Sequence, residues 1–215
     1  MNRRRARRVV LIHGAATTSR VWRRVVPQLM GFEVLCPDRP CGGDLDAEVS
    51  ALAPICEGAV LAGVSGGATL GLALAAAGVP FAVALLHEPA VGSLLPGLLE
   101  PFRAAYADGG PDAFGRALYG AAWTSAEAPD DPDAVGRDLA MFRGFEPAAP
   151  APGAGSVLVT VGECSPPVRH ESVRRLAARF GLPTEVLPGT RHAVHLEQPA
   201  VFAAAVERLA AQAAA

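Results

Sequence analysis

Residues 59–74 read AVLAGVSGGATLGLAL, and the reading of this stretch decides the fold. Its first six residues are small and apolar with no polar face, the pattern of a strand buried on both sides. From Gly66 to Ala77 the chain is again apolar, now over a helix-length segment. Between the two lies Gly63-Val64-Ser65-Gly66-Gly67, a G-x-S-x-G pattern. In a chain with 23 glycines the bare pattern is weak, but between a buried strand and a buried helix it acquires a mechanical meaning. A sharp strand-to-helix turn strains the serine backbone, the flanking glycines leave room for neighbouring chain, and the Ser65 hydroxyl is pushed outward. The helix starting at Gly66 also aims its free N–H groups and positive dipole end at that point. The plainer alternative is a tight turn in which Ser65 only caps the helix.

Similar apolar runs recur on either side: Val9 to His13, Glu33 to Cys36, Phe81 to His87, Val157 to Val161 and Thr184 to Leu187. Helix-length segments separate most of them, at Ser19 to Met30, Asp44 to Ala53, Val168 to Phe180 and Pro199 to Ala213. Strands alternating with helices predict an α/β fold, a parallel sheet covered on both faces. Ligands of such sheets bind beyond the carboxyl ends of the strands. One interval breaks the rhythm. Residues 89–155 contain no strand pattern but carry Phe102, Tyr106, Phe114, Tyr119, Trp123, Phe142 and Phe145, then leave through EPAAPAPGAG. The expected organisation is a core of residues 1–88 and 156–215 with a helical lid insertion at 89–155. Most of the lid's aromatics are expected to pack its own helices onto the sheet, while Tyr106, Tyr119, Trp123 and Phe142 are candidates to contact a substrate.

Composition narrows the partners. The 215 residues suit a single core. A formal charge of -2 gives no electrostatic reason to expect nucleic acid or a membrane surface, and no apolar run approaches the length that spans a bilayer. The opening MNRRRARR is expected to be a solvated arm, because VVLI after it is too short for an export signal. Cys36, Cys41, Cys56 and Cys164 show no C-x-x-C or zinc-finger spacing. The expectation is a reduced, cytoplasmic protein acting on a small molecule, with no metal and no cofactor; the oligomeric state is not legible.

Taken with three further segments, the elbow at Ser65 resembles that of the α/β-hydrolase family, over nearly the whole chain. VVLIHGAATTSRVW resembles the strand and His-Gly oxyanion loop of the family, here His13, Gly14 and Ala15. CPDRPCGG resembles its Pro-Asp turn, and PGTRHAVHLEQPAVF the segment carrying its histidine. The resemblance implies an α/β-hydrolase sheet of about six strands, because the family's usual first two are not evident. It also implies Ser65 as nucleophile, His192 as base and the N–H groups of Ala15 and Gly66 as an oxyanion hole. The chemistry suits those residue types: serine attacks only when a base takes its proton, and histidine titrates near neutrality and returns it. Of the other histidines, His13 is expected to orient the oxyanion loop, His170 and His195 to be solvated or capping, and His87 to remain a competitor at a strand end.

The carboxylate is the gap. The family usually places it three residues beyond the glycine ending the penultimate strand; here the glycine is Gly162 and the third residue on is Ser165. Serine cannot stabilise an imidazolium by charge. Three explanations stand: Glu88, just beyond the Phe81 to His87 strand, supplies the acid, as some relatives do at that strand; Glu163 bends inward; or no acid exists. The favoured function is a serine hydrolase of an ester, thioester or lactone of a small apolar molecule. A lyase or cyclase on the same scaffold and an inactive ligand-binding homologue are the alternatives.

Overall fold

The computed structural model describes residues 7–213; most of the arginine-rich arm lies outside them. Six strands run in chain order, β1 (Arg7–Ile12), β2 (Phe32–Leu35), β3 (Val60–Val64), β4 (Val83–His87), β5 (Ser156–Gly162) and β6 (Thr184–Leu187). They form one all-parallel sheet ordered β2-β1-β3-β4-β5-β6. β3 and β4 are buried at every position, so their uninterrupted apolar runs follow from being covered on both faces.

The helices are α1 (Leu45–Cys56), α2 (Gly66–Ala76), α3 (Glu100–Tyr119), α4 (Ala134–Arg143), α5 (Pro167–Phe180), α6 (Val194–Glu197) and α7 (Pro199–Gln212). Burial of α2 from Gly66 through Ala75 explains its lack of a polar stripe. Asp44 caps α1 by accepting from the N–H groups of Asp46 and Ala47. One expected helix is different. Ser19 to Met30 folds as two 3-10 turns, Ser19–Arg24 and Val26–Gln28, because Pro27 removes a donor next to the β-branched pair Val25-Val26.

Residues 89–155 contain no strand. α3 breaks at Gly109 and Gly110, whose backbone is non-helical, immediately before Pro111, which cannot continue an upstream hydrogen-bond ladder. This segment is tied to the sheet's carboxyl edge by buried donors. Trp123 Nε1 donates to the Ala16 carbonyl at 2.8 Å and Tyr119 Oη to the Ala15 carbonyl at 3.0 Å. Arg39 bridges from the Pro-Asp turn to Asp138 of α4 at 2.6 Å.

Candidate active site

Register places the site. Val64 of β3 pairs with His87 of β4, and His87 with Thr160 of β5, so β3 and β4 end level while β5 runs two residues further, to Gly162. The next residues, Ser65 and Glu88, are bonded outward by the same step: Ser65 N–H donates to the His87 carbonyl at 2.9 Å, and Glu88 N–H to the Thr160 carbonyl at 3.0 Å. Both take left-handed backbone, φ 58° and 49°, and so does Ala16 beside the oxyanion loop, at 57°. Such conformations cost of order 1–3 kcal/mol in non-glycine residues and gather at functional sites.

The elbow depends on its glycines. A Cβ on Gly67 would stand 1.9 Å from the Ile12 carbonyl oxygen, and one on Gly63 2.5 Å from the Gly67 backbone. The turn therefore packs backbone against backbone. Ser65 remains as the strained residue between β3 and α2, with φ 58° and ψ −122°. A Cβ on Gly66 would lie 3.1 Å from the Ala15 nitrogen, so these two predicted oxyanion N–H groups adjoin. Neither donates to an acceptor among the described residues.

His192 follows β6 in a loop that crosses Gly162, where a Cβ would strike the Thr190 carbonyl at 2.6 Å. Its Nδ1 lies 2.8 Å from Glu88 Oε2, and its buried Nε2 has no hydrogen-bond partner. A carboxylate only accepts, so Nδ1 carries the proton and Nε2 presents its lone pair. Glu88 Oε1 accepts from the Gly162 N–H at 3.0 Å and from Ser165 Oγ at 2.5 Å. The serine standing where the family's carboxylate was expected thus holds the carboxylate that reaches over from β4. Glu163 is turned outward and accepts from the Gly189 N–H at 2.7 Å.

The other histidines are committed elsewhere. His87 Nε2 meets the Arg191 carbonyl at 3.2 Å and its Nδ1 the Thr160 hydroxyl at 3.0 Å, so the expected competitor instead pins the loop carrying His192. His13 is bonded within the loop after β1, with Nδ1 3.1 Å from the Gly14 carbonyl and Nε2 accepting from the Arg39 N–H at 3.3 Å. His195 is neither solvated nor a cap. It is buried between Trp22 and Tyr119, at ring distances of 5.1 and 5.7 Å, because its short helix α6 packs against α7 and the 3-10 turn at Ser19–Arg24.

Burial would raise the Glu88 carboxyl pKa, but the His192 hydrogen bond and the charges of His87, His192 and Arg169 hold it well below the carboxylate range. Burial, and then the Arg169 charge, lower His192 to about 4 against the opposing pull of Glu88. At neutral pH the pair is a carboxylate beside a neutral imidazole.

A cavity of about 30 Å³ adjoins Ser65, lined by Ala15, Gly66 and Glu88, by Phe102, Phe114 and Leu118 of α3, and by Leu139 and Phe142 of α4. Phe142, a candidate for substrate contact, lines this cavity. Tyr106, Tyr119 and Trp123 do not line this cavity. The Tyr106 hydroxyl packs at Gly136, Trp123 is held by Ala16, and Tyr119 stacks on His192 at 5.6 Å and 20°. Aromatic type marks a residue for burial before it marks it for contact: Tyr119 and Trp123 are buried, with the Tyr119 hydroxyl beside Ser65, while Tyr106 is half-buried against Gly136 and Phe114. Phe102 and Phe114 were legible as aromatics of the same segment, without a signal that they face the site.

Among the described residues, Cys41, Glu48 and Asp138 are the group that clusters potential metal donors. Arg39 occupies their midst, 2.6 Å from Asp138 and 3.3 Å from Glu48. Burial pushes the Cys41 thiol up to about 12. An internal cation beside a protonated thiol makes this an ion cluster. All four cysteines are free, and no helix among the described residues is long and apolar enough to cross a membrane.

A parallel six-strand sheet with a strained serine after its third strand defines a class, and the sequence agrees: residues 9–205 match the alpha/beta hydrolase family, to which the chain belongs. Solved structures share the architecture at low identity. An esterase from Thermogutta terrifontis aligns with a TM-score of 0.76 at 18% identity, over 96% of this chain and 90% of that one. The enol-lactonase from Burkholderia xenovorans LB400 aligns at 0.76 and 19%, over 98% and 94%. The carboxylesterase CesB from Bacillus subtilis aligns at 0.67 and 15%, over 97% and 85%. No curated protein matches the chain.

Proposed function

We propose that the protein is a serine hydrolase that cleaves an ester, thioester or lactone of a small molecule with an apolar body. The carrying observation is the 2.8 Å contact between Glu88 and His192 Nδ1, which leaves an unclaimed, neutral Nε2 at the edge of the sheet where Ser65 stands. In this reading Nε2 takes the Ser65 proton as Oγ attacks the carbonyl carbon. The N–H groups of Ala15 and Gly66 hold the resulting oxyanion, each contributing about 3 kcal/mol. His192 returns the proton to the leaving oxygen or sulfur; water then repeats the sequence and frees the acid. Glu88 stays ionised and steadies the imidazolium. No step requires a metal or an organic cofactor.

Residues 89–155 act as the lid. The cavity below them has room for on the order of two waters, so an acyl group enters by spreading the side chains of α3 and α4. Phe102, Phe114, Leu118, Leu139 and Phe142 form its apolar wall; Tyr106 and Trp123 back it at Phe114 and Gly115, while the Tyr119 hydroxyl lies beside Ser65. A reactive aryl ester tests the reading. A burst of released phenol is expected, accompanied by an acyl mass on the Ser65 peptide and absent in Ser65→Ala. Turnover that persists in Ser65→Ala overturns the assignment.

A further inference from the structure

The cavity beside Ser65 has one cationic wall residue, Arg169 of α5, and it is poorly paired. Arg39, the other deeply buried arginine among the described residues, is much better paired, with two carboxylates at 2.6 and 3.3 Å and the Gly14 carbonyl at 3.2 Å, although its Nε has no partner. Arg169 is 4% exposed and approaches one carboxylate, Glu88, through Nε at 3.6 Å. That is beyond hydrogen-bonding reach, and Glu88 is already committed to His192, Gly162 and Ser165. None of the five guanidinium N–H groups has an acceptor among the described residues. The guanidinium cannot shed its charge to relieve this, and its Cζ lies 5.3 Å from the Phe102 ring centroid, a cation–π contact that orients it. A buried planar fork with unused donors fits a planar anion.

We propose that Arg169 is an anion subsite within this cavity, and that the substrate is a short acyl ester, thioester or lactone carrying a carboxylate near the bond that is cleaved. The proposal rests on the hydrolase reading above for its reacting bond, while the subsite itself stands on Arg169. The lining fits such a molecule: a carboxylate on Arg169, a short apolar stretch against Phe102 and Phe142, and the reacting carbonyl at Ser65 with Ala15 and Gly66. Opposite the cation, the remaining walls are apolar apart from Thr69, Ser65 and Glu88. A neutral acyl chain would leave the guanidinium unsatisfied.

Methyl butyrate and monomethyl succinate have the same chain length and differ in the terminal group, so together they isolate the charge. Wild type is expected to favour monomethyl succinate at least 30-fold in kcat/KM. Arg169→Met should bring that ratio close to one, chiefly through KM; Arg169→Lys, which keeps a cation, should retain part of it. Arg169 also borders Glu88, so both rates can shift in the variants, and the ratio cancels the shared change. A wild-type ratio near one, or one that Arg169→Met leaves intact, overturns the subsite. Calorimetry on Ser65→Ala gives a readout independent of turnover: monomethyl succinate should bind at least tenfold more tightly than methyl butyrate, and equal affinities overturn the proposal. Selective monomethyl succinate binding without turnover of either ester by wild type would retain the subsite and overturn the hydrolase reading.

Discussion

Ser65 and Glu88 stand one step beyond adjacent strands, bonded in the same way and bent into the same left-handed backbone, yet they are held by opposite means. Ser65 is fixed by its backbone, through glycines packed so closely that no Cβ fits at Gly63 or Gly67. Glu88 is fixed by its side chain, through Gly162, Ser165 and His192. A position set by local steric necessity leaves a motif in the sequence. A position set by partners from two distant segments does not, and it tolerates relocation, because the carboxylate needs only to reach the imidazole.

The sharpest break of that contrast removes charge at one position and room at the other. Glu88→Gln keeps the shape and is expected to lower kcat between about 10² and 10⁴-fold with the melting temperature little changed, while Glu163→Gln leaves kcat near wild type. Equal rates for wild type and Glu88→Gln would mean that the relocated carboxylate does not serve the imidazole. Gly67→Ala should do the reverse, acting first on the fold. Its methyl group meets the Ile12 carbonyl, and an overpacking cost on the order of 3 kcal/mol lowers the melting temperature by about 10 °C. Ser165→Ala is milder. It removes one of the hydrogen bonds to Glu88, and kcat should fall about tenfold, with Ser165→Thr restoring part of the rate.

The smallest effect is in pH. His192, lowered to about 4 mainly by burial, and His13, lowered to about 3 for the same reason, stay neutral in the fold well below 6.5, where the unfolded chain takes up protons. Stability from these groups is complete above about pH 6.5 and is lost as pH falls toward 4. Glu88, whose folded pKa is depressed, acts in the same direction because the unfolded carboxyl protonates first. Melting temperatures at pH 7.5 and 4.5 should therefore differ by about 5 °C or more. Over the same range His192 remains a base, so kcat/KM should hold its plateau down to about pH 5; an acid limb near 6.5 would show that the imidazole is not buried beside Arg169.

Legibility followed the same division. The inner strands and the elbow could be read because buried parallel strands are nearly continuously apolar and the turn demands glycine, while the edge strands β2 and β6, FEVL and TEVL, were legible only as short β-branched or apolar runs. Glu88 was legible as a candidate once β4 was placed beside β3, but Glu163 could be set aside only when its carboxylate was seen to accept from Gly189. The 3-10 turns at residues 19–28 were missed because hydrophobic spacing resembles a helix there while Pro27 forbids one. His195, Tyr106 and Trp123 were misplaced for a shared reason. How lid helices seat on a sheet depends on contacts across about a hundred residues of chain, such as Trp123 to Ala16 and Tyr119 to Ala15. Arg169 gave no signal, being one arginine among many until its lack of acceptors was seen.

The central claim is that His192, steadied by Glu88, activates Ser65. A fluorophosphonate probe followed by intact mass and peptide mapping tests it most directly. The account predicts one label per chain, on Ser65, forming rapidly in wild type, about a hundredfold or more slowly in Glu88→Gln, and not measurably in His192→Ala. Labelling of another residue, or of Ser65 at the same rate with and without the imidazole, would contradict it.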